Sequence, residues 1–397
     1  MMIIKNINIV DSQQNIRCDI RVENGLIAEV GEHIQGTPCL DFASHDYYLV
    51  PAFTDLHAHF RDPGFTYKED VVSGSRAAVR GGYTAVNLMP NTQPVCSNLS
   101  IKSDVEKRVE ATGLVFANQT LSMTKDLAGC DISHLRALAP QQVLFVSDDG
   151  KGVADDEVMA EIFQICKEKQ IVIMSHAEDS RYSKTDMRQA ENSMTFRDLE
   201  LCKKYGARLH FCHVSTIEAI TAIAEAKLQG VPVTCEVTPH HLSVTSVQGN
   251  HYKVNPPLRD SRDVEALIAA IQNGVVDAIA TDHAPHTTDD KNNGAAGISG
   301  IETAFALCYT HLVKTGAITL SQLIRLMSET PSQMMNLNKG KIQVGKMADF
   351  AVVELNTPYH IHADSFFSKG KNTPFNGWSV LGQVIYTIKE GKIVYGR

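Results

Sequence analysis

Val50-Pro-Ala-Phe-Thr-Asp-Leu-His-Ala-His-Phe-Arg-Asp-Pro-Gly64 is the stretch that decides the fold. An apolar run leads into His57 and His59, and a Pro-Gly turn pair ends the stretch. Residues i and i+2 of a strand lie on one face, so both imidazoles point the same way, roughly 6–7 Å apart along the chain. This spacing suits one metal ion, and Arg61 follows on the same face. Taken alone, His-x-His fits two half-exposed histidines equally well, so the rest of the chain has to decide.

Seven more short apolar runs follow this one and alternate with helical patterns, which is typical of βα units around a parallel sheet. Eight strand–helix units over roughly 280 residues predict a (β/α)8 TIM barrel. The eight predicted strands are 50–57, 83–89, 114–119, 142–148, 171–176, 208–213, 232–237 and 276–282. Candidate helices between them cover 68–80, 101–111, 155–168, 216–228 and 262–273.

Both ends of the chain carry strand patterns instead. Turn signals such as Glu23-Asn24-Gly25 and Glu390-Gly391 separate these short runs. The predicted strands are 3–10, 16–22, 26–30 and 47–50 before the barrel, and 351–354, 383–388 and 392–395 after it. We therefore predict an α/β fold in which residues 50–340 form the barrel. Residues 1–49 and 341–397 combine into one small β-sandwich domain.

Composition excludes several classes of function. The chain has 397 residues, 43% of them hydrophobic, a net charge of −8 and no lysine- or arginine-rich run. Nucleic acid or an anionic membrane is therefore not the expected partner. No signal peptide and no apolar segment of about 18 residues is evident, and the nine cysteines show no CxxC pairing. We expect a soluble cytoplasmic protein with reduced cysteines and a small-molecule substrate.

Reactive side chains follow five of the eight predicted strands, and in a barrel of this kind the strand ends meet at one mouth. Imidazole and carboxylate ligands without thiolates favour zinc, with manganese or cobalt allowed by the same chemistry. Four histidines and two aspartates exceed one tetrahedral shell, so two ions sharing a carboxylate and a hydroxide are the simplest arrangement. The side chains are His57 and His59, the Asp148-Asp149 pair, His176, His213, and Asp282 within the run from Thr281 to His286.

These motifs carry a resemblance that covers nearly the whole chain. The chain resembles the class I dihydroorotases of the amidohydrolase superfamily. The matching motifs are Asp55-Leu-His-Ala-His-Phe-Arg-Asp-Pro-Gly64, Lys68-Glu-Asp70, Gly81-Gly-Tyr-Thr-Ala-Val-Asn-Leu-Met-Pro-Asn-Thr92, Ser147-Asp-Asp-Gly150, His213-Val-Ser-Thr216, Glu236-Val-Thr-Pro-His-His-Leu242, Asn255-Pro-Pro-Leu-Arg259, Thr281-Asp-His-Ala-Pro-His286, Gly297-Ile-Ser-Gly-Ile-Glu-Thr303 and Gly345-Lys-Met-Ala-Asp349.

The resemblance implies one or two zinc ions per chain. His57, His59 and Asp282 would hold one ion, and His176 and His213 the other. Many relatives bridge the ions with a carboxylated lysine, but the fourth strand contains none here. We assign the bridge to Asp149, with a modified Lys151 as the lesser alternative. A second ion would then be held less firmly.

The resemblance also implies a substrate site. Arg61, Asn91 and His286 would bind a substrate carboxylate. Asn255 and backbone groups near Ala284 and in 297–300 would form hydrogen bonds with the amide groups of the substrate ring. The Gly-rich segment 294–300 resembles a mobile lid, although an ordinary flexible connection fits it as well. Between His176 and His213 the chain is more compact than the family usually is, with a helix predicted over 194–205.

The implied activity is the reversible cyclisation of N-carbamoyl-L-aspartate to L-dihydroorotate. A metal-bound hydroxide would be the nucleophile in the hydrolytic direction, and Asp282 the general acid and base. A homodimer and an association with aspartate carbamoyltransferase are implied partners. Two alternatives stay open: a hydantoinase or allantoinase, and an inactive homologue that serves as a scaffold for aspartate carbamoyltransferase.

Five other polar residues near the strand ends are expected to support the fold. Asp55 should form buried hydrogen bonds, and Asp148 should stabilise a turn or a helix end. His240 and His241 should be structural, or should support site residues. His283 should point away from the mouth.

Overall fold

A computed structural model describes all 397 residues. The chain begins with five strands that run along one another in a single sheet. They are β1 (Met2–Val10), β2 (Asn15–Glu23), β3 (Leu26–Gly31), β4 (Cys39–Asp41) and β5 (Tyr47–Pro51).

Eight strands then form the barrel, each close to its predicted position. They pair in parallel as β6–β7–β8 and β9–β10–β11–β12–β13. Two parallel bridges, Leu121 with Val146 and Ala58 with His283, join these groups into a ring. The strands are β6 (Phe53–Ala58), β7 (Tyr83–Leu88), β8 (Phe116–Gln119), β9 (Phe145–Val146), β10 (Val172–Ser175), β11 (Leu209–Phe211), β12 (Val233–Val237) and β13 (Ala278–Ile279).

The barrel strands are apolar because both faces are covered. Every residue of β6 and β7 is buried, as expected of parallel strands with side chains inside and helices outside. Regular pairing in the eighth strand covers only Ala278–Ile279 of the predicted 276–282. The chain beyond it turns early to present Asp282 at the mouth.

Helices connect the strands. The five helices predicted between barrel strands are all present, and the first starts at 71 rather than 68 because the Asp70 carboxylate accepts from the backbone of Val72 and Ser73. The helix predicted over 194–205 starts earlier, after the cap Asp186. The helices are α1 (Val71–Arg80), α2 (Leu99–Glu110), α3 (Ser133–Arg136), α4 (Asp156–Lys169), α5 (Met187–Tyr205), α6 (Ile217–Leu228), α7 (Pro239–Ser243), α8 (Ser261–Gln272), α9 (Thr288–Asn292), α10 (Ala304–Cys308), α11 (Leu320–Ile324) and α12 (Thr330–Met334).

Five strands follow the barrel, and three of them complete the sheet at the start of the chain. β14 pairs with β5 and with β17, so the sheet order is β18-β17-β14-β5-β1-β2-β3, with β4 beside β1. This confirms a β unit built from both chain ends. The strands are β14 (Phe350–Glu354), β15 (Tyr359–His360), β16 (Ser379–Val380), β17 (Gln383–Lys389) and β18 (Lys392–Gly396).

The terminal sheet buries a hydrophobic core of its own, separate from that of the barrel. Ile4, Ile7, Ile20, Phe350 and Ile388 belong to this core. Such a division fits the predicted units, although it does not fix their boundaries at 49 and 340. No helix has the length and apolarity that a membrane span needs.

Candidate metal centre and active site

The six predicted ligands lie together at the carboxyl ends of the barrel strands. All six are buried, although they come from five separate strands. The barrel topology achieves this, because parallel strands of one ring end on the same face. The residues are His57, His59, Asp149, His176, His213 and Asp282.

His57, His59 and Asp282 form the first group. Oδ1 of Asp282 lies 3.1 Å from Nε2 of His59 and 3.6 Å from Nε2 of His57. The three ligand atoms are close enough to share one ion. The implied first ligand set is therefore assembled in space, and its metal-binding role stays a prediction.

Asp149 lies between the two sets of histidines. Its Oδ1 is 3.3 Å from Nε2 of His57, 3.3 Å from Nδ1 of His176 and 3.8 Å from Nε2 of His213. Its Oδ2 is 3.6 Å from Nε2 of His59. A bridging carboxylate needs this placement.

Lys151, the alternative bridge, is exposed to solvent. The geometry therefore favours Asp149 as the bridging group.

Buried atoms without partners test whether the site fits a metal. Nε2 of His57 and Oδ1 of Asp149 are buried and accept or donate no hydrogen bond, which is costly unless another group satisfies them. Burial alone would raise the pKa of Asp149, but His57, His176 and His213 bring it well below its usual value. Burial would also raise the pKa of Asp282, but the neighbouring histidines lower it. Two carboxylates among four imidazoles suit a divalent cation.

Glu236 supports His57 from below and was not predicted. Its Oε1 lies 3.0 Å from Nδ1 of His57, and its Oε2 lies 3.1 Å from Nε2 of His210. Burial opposes ionisation, but the bonds with His210 and His57 lower the pKa of Glu236 to about 2. An ionised Glu236 fixes the proton of His57 on Nδ1 and directs Nε2 to the centre.

Cys212 lies beside His57 and Glu236. Burial raises the pKa of this thiol to about 12. Without a bound metal it is therefore a neutral thiol.

Asn91 and Glu178 orient two further histidines. Oδ1 of Asn91 lies 2.9 Å from Nδ1 of His59, and its Nδ2 donates to Oδ2 of Asp149 over 3.0 Å. Oε2 of Glu178 lies 2.9 Å from Nε2 of His176 and accepts from Nδ2 of Asn255 over 2.7 Å. Nδ2 of Asn91 also donates a long bond to the carbonyl of Asp149 over 3.5 Å, and Oδ1 of Asn255 is free to accept from a substrate.

Arg61 and His286 form a cationic pocket beside the centre, joined by Lys68. Nη2 of Arg61 lies 3.4 Å from Nε2 of His286, and Nζ of Lys68 lies 3.4 Å from its Nδ1. Burial, Arg61 and Lys68 together lower the pKa of His286 to about 3, so its imidazole is neutral. Nε of Arg61 is buried without a hydrogen-bond partner. Asp290 pairs with Lys68 over 3.2 Å, but no carboxylate of the chain pairs with Arg61, which suits a substrate carboxylate.

Backbone strain gathers at the site. Arg61, His213 and Asp282 have φ values of 58°, 37° and 45°. Non-glycine residues in this region cost roughly 1–3 kcal/mol each and tend to cluster at functional sites.

Segment 294–300, the predicted lid, is bonded to several other parts of the chain. Nζ of Lys291 donates to the carbonyls of Lys253, Ala295 and Gly297 at 2.9, 2.8 and 3.1 Å. The carbonyl of Ala296 lies 2.9 Å from Nε2 of His286. Motion of this segment stays a prediction.

The supporting residues mostly match expectation. Asp55 accepts from the backbone of His57 and Thr281. His241 contacts Thr238 and the carbonyl of Pro256, His240 is buried, and His283 contacts Glu69 rather than the ligand group.

Asp148 begins a turn, as predicted, because its carbonyl accepts from the backbone N–H groups of Lys151 and Gly152. Its side chain neither closes its own turn nor caps a helix, but accepts from the backbone of Met123 and Thr124 in the neighbouring βα loop. The carboxylate is buried and has no water to solvate it, so it binds the nearest free amides.

The chain is similar to known proteins over nearly its whole length. The amidohydrolase family model matches residues 48–394. A dihydroorotase from Clostridium botulinum is 45% identical over 397 residues, which is 100% of both chains. The chain belongs to the dihydroorotases of the amidohydrolase family. One from Thermoanaerobacter is 38% identical and covers 100% of this chain and 97% of its own.

Solved structures agree on the fold. An L-hydantoinase (dihydropyrimidinase) from Arthrobacter aurescens has a TM-score of 0.88 at 26% identity and covers 100% of this chain and 96% of its own. A dihydropyrimidinase from Brevibacillus agri has a TM-score of 0.90 at 22% identity, with 100% and 95% covered. The chain is thus a metal-dependent cyclic amidohydrolase, and its buried His/Asp group is where a metal cofactor fits.

Proposed function

We propose that the chain catalyses the reversible cyclisation of N-carbamoyl-L-aspartate to L-dihydroorotate, a step of de novo pyrimidine biosynthesis. One observation carries the proposal: a buried metal-type ligand group lies beside a cationic pocket in which Arg61 has no carboxylate partner and a buried Nε without a hydrogen bond. Arg61 is only two residues beyond His59 in the sequence. Both parts therefore act on the same small molecule, one on its carbonyl and the other on its carboxylate. Membership among the dihydroorotases supports this substrate.

Arg61 and His286 would bind the carboxylate that takes no part in ring closure. A guanidinium can hold a carboxylate through two parallel hydrogen bonds, and the free Nε of Arg61 is one donor for such a pair. Asn91 would add a third contact by redirecting the N–H that donates to the carbonyl of Asp149 over 3.5 Å. Asn255 would accept from a ring N–H through Oδ1 while Glu178 holds its amide group.

The ligand group would hold one or two zinc ions through imidazole nitrogens and carboxylate oxygens. Imidazole and carboxylate donors suit the preference of zinc for nitrogen and oxygen ligands. When bound, the metal supplies Lewis acidity and lowers the pKa of a coordinated water to roughly 7. Asp149 would bridge the ions if two are bound.

Asp282 is the proposed proton carrier. Its Oδ1 lies 3.1 Å from Nε2 of His59, at the edge of the ligand group that faces the substrate pocket. The lowered pKa keeps the side chain ionised. In hydrolysis it takes a proton from the attacking water and delivers it to the departing ring nitrogen. In synthesis the same carboxylate takes that proton back.

Hydantoinase or dihydropyrimidinase activity is the second candidate, favoured by the similarity to the Arthrobacter aurescens protein. Cyclic ureides without a carboxylate would leave Arg61 buried without an anion, which is costly. Turnover of L-dihydroorotate, hydantoin, dihydrouracil and allantoin by the zinc-loaded protein tests the choice. We expect dihydroorotate to have the highest kcat/KM, and a preference for a substrate without a carboxylate would refute the proposal.

The inactive-homologue alternative would be supported by lost ligands, and all six predicted ligands are present. The homodimer, the association with aspartate carbamoyltransferase and the cytoplasmic location stay predictions.

A further inference from the structure

Segment 368–372 reaches the substrate pocket although it lies in the C-terminal part of the chain. It falls between β15 and β16, within the region 341–397 that the sequence assigns to the small β domain. Asn372, at the end of this segment, is 8% exposed. A buried amide has to find partners for all its polar atoms.

The side chain of Asn372 finds them in two loops of the barrel mouth. Its Oδ1 accepts from the backbone N–H of His286 over 2.9 Å and from Oγ of Ser299 over 2.7 Å. Its Nδ2 donates to the carbonyls of Ala284 and Gly297 over 3.2 and 3.0 Å. All four hydrogen bonds that an amide can form are made.

These partners determine where His286 lies. Asn372 fixes the backbone of His286 directly. It also fixes Gly297, next to Ala296, whose carbonyl lies 2.9 Å from Nε2 of the same imidazole. The backbone and the ring of His286 are therefore both positioned by one side chain from outside the barrel strands.

Close packing leaves little room for another arrangement. A Cβ added at Gly370 would lie 2.6 Å from Cβ of Pro285 and 2.7 Å from Oγ of Ser299. A Cβ at Gly297 would lie 2.6 Å from the carbonyl oxygen of Ala284. Segment 368–372 therefore packs directly against the loops that contain Pro285 and Ser299, and neither glycine has room for a side chain.

Glu69 ties the other end of the segment to the eighth strand. Its Oε1 accepts from the backbone N–H of Lys369 over 3.2 Å, and its Oε2 accepts from Oγ of Ser368. The same Oε2 lies 3.3 Å from Nε2 of His283. This gives the middle residue of the Lys68-Glu69-Asp70 motif a role, as the anchor of segment 368–372.

We propose that Asn372 is a positioning residue of the carboxylate pocket, and that segment 368–372 completes the substrate site by holding His286 and Gly297 in place. The inference rests on the proposed function, since it assigns His286 to the substrate carboxylate. Asn372 itself touches neither the ligand group nor the proposed path of the proton. Its loss should therefore weaken substrate binding more than it slows the chemical steps.

Steady-state kinetics with L-dihydroorotate on Asn372→Ala and Asn372→Asp test this. We expect KM to rise at least tenfold while kcat stays within about threefold and zinc content is unchanged. Asn376→Ala is the matched control, because the Asn376 side chain accepts only from the backbone N–H of Ala363, away from the pocket. The control should keep the wild-type KM. An unchanged KM in Asn372→Ala, or an equal rise in the control, would overturn the proposal.

Hydrogen exchange gives a second readout that does not depend on turnover. In Asn372→Ala the amide of His286, which donates to the Asn372 side chain, should exchange at least tenfold faster, while those of barrel strand β12 stay protected. If neither variant at 372 folds, Ser299→Ala removes one of the four bonds and should raise KM about threefold. Wild-type protein that turns over no dihydroorotate would refute the proposed function alone, whereas unchanged exchange at His286 would refute the positioning role alone.

Discussion

Replacing Glu236 by glutamine should weaken metal binding without changing the shape of the site. The carboxylate accepts from His57 on one side and His210 on the other, at 3.0 and 3.1 Å. Glutamine offers one acceptor oxygen and one NH2 group. One of the two histidines must then face a donor, and the carboxylate charge below His57 is lost.

The expected loss of metal affinity depends on which way the glutamine side chain is oriented. If its NH2 group faces His57, the proton moves to Nε2 and this histidine cannot bind a metal. If it faces His210, that ring can change tautomer, because its Nδ1 lies 2.9 Å from Oγ1 of Thr234. His57 then keeps its orientation and loses only the charge. Mutations of such supporting groups lower metal affinity by roughly 10–100-fold, which is about 1.4–2.7 kcal/mol.

A competition titration of the metal-free variant against a chromophoric zinc chelator measures this change. Glu161→Gln is the matched control, since Glu161 makes an exposed ion pair with Arg136 at 2.6 Å, far from the site. The control should bind zinc as the wild type does. Zinc affinity within twofold of wild type in Glu236→Gln would show that the carboxylate does not orient His57.

Three further outcomes follow from the site. Asp282→Asn should lower kcat for dihydroorotate by roughly 10²–10⁴-fold with zinc still bound, and activity above a few per cent would remove Asp282 as proton carrier. Arg61→Met should raise KM for dihydroorotate by roughly 10–100-fold, because a charge-assisted contact contributes about 1.5–3 kcal/mol; an unchanged KM would place the carboxylate elsewhere. Removing metal with a chelator should abolish turnover and lower Tm, because Asp149 and Asp282 lose their counterion, and zinc should restore both; full activity in chelator would contradict a metal centre.

The sequence was enough to predict the barrel and the convergence of six polar side chains at its mouth, for a topological reason. In a closed ring of parallel strands the carboxyl ends all meet at one mouth. It is therefore sufficient to recognise which strand each histidine follows. His57 and Asp282 are 225 positions apart in the sequence but share this edge. No side-chain contact has to be known in advance.

Side-chain contacts between different structural elements could not be predicted in this way. Glu236 lies within β12, where alternation shows that it faces inward but not that it lies beneath His57. Asn372 and His286 are 86 positions apart, and nothing in the local pattern around either points to the other. Glycine content alone suggests a loose lid at 294–300, whereas the bonds that hold this segment come from Lys291 and Asn372 elsewhere in the chain.

The most direct test is anomalous diffraction at the zinc edge from crystals of the zinc-loaded protein. The account predicts a peak bonded to Nε2 of His57, Nε2 of His59 and a carboxylate oxygen of Asp282, with Asp149 between it and any second peak. It would be contradicted by crystals that bind zinc only at other residues, or in which Asp149 or His213 faces solvent.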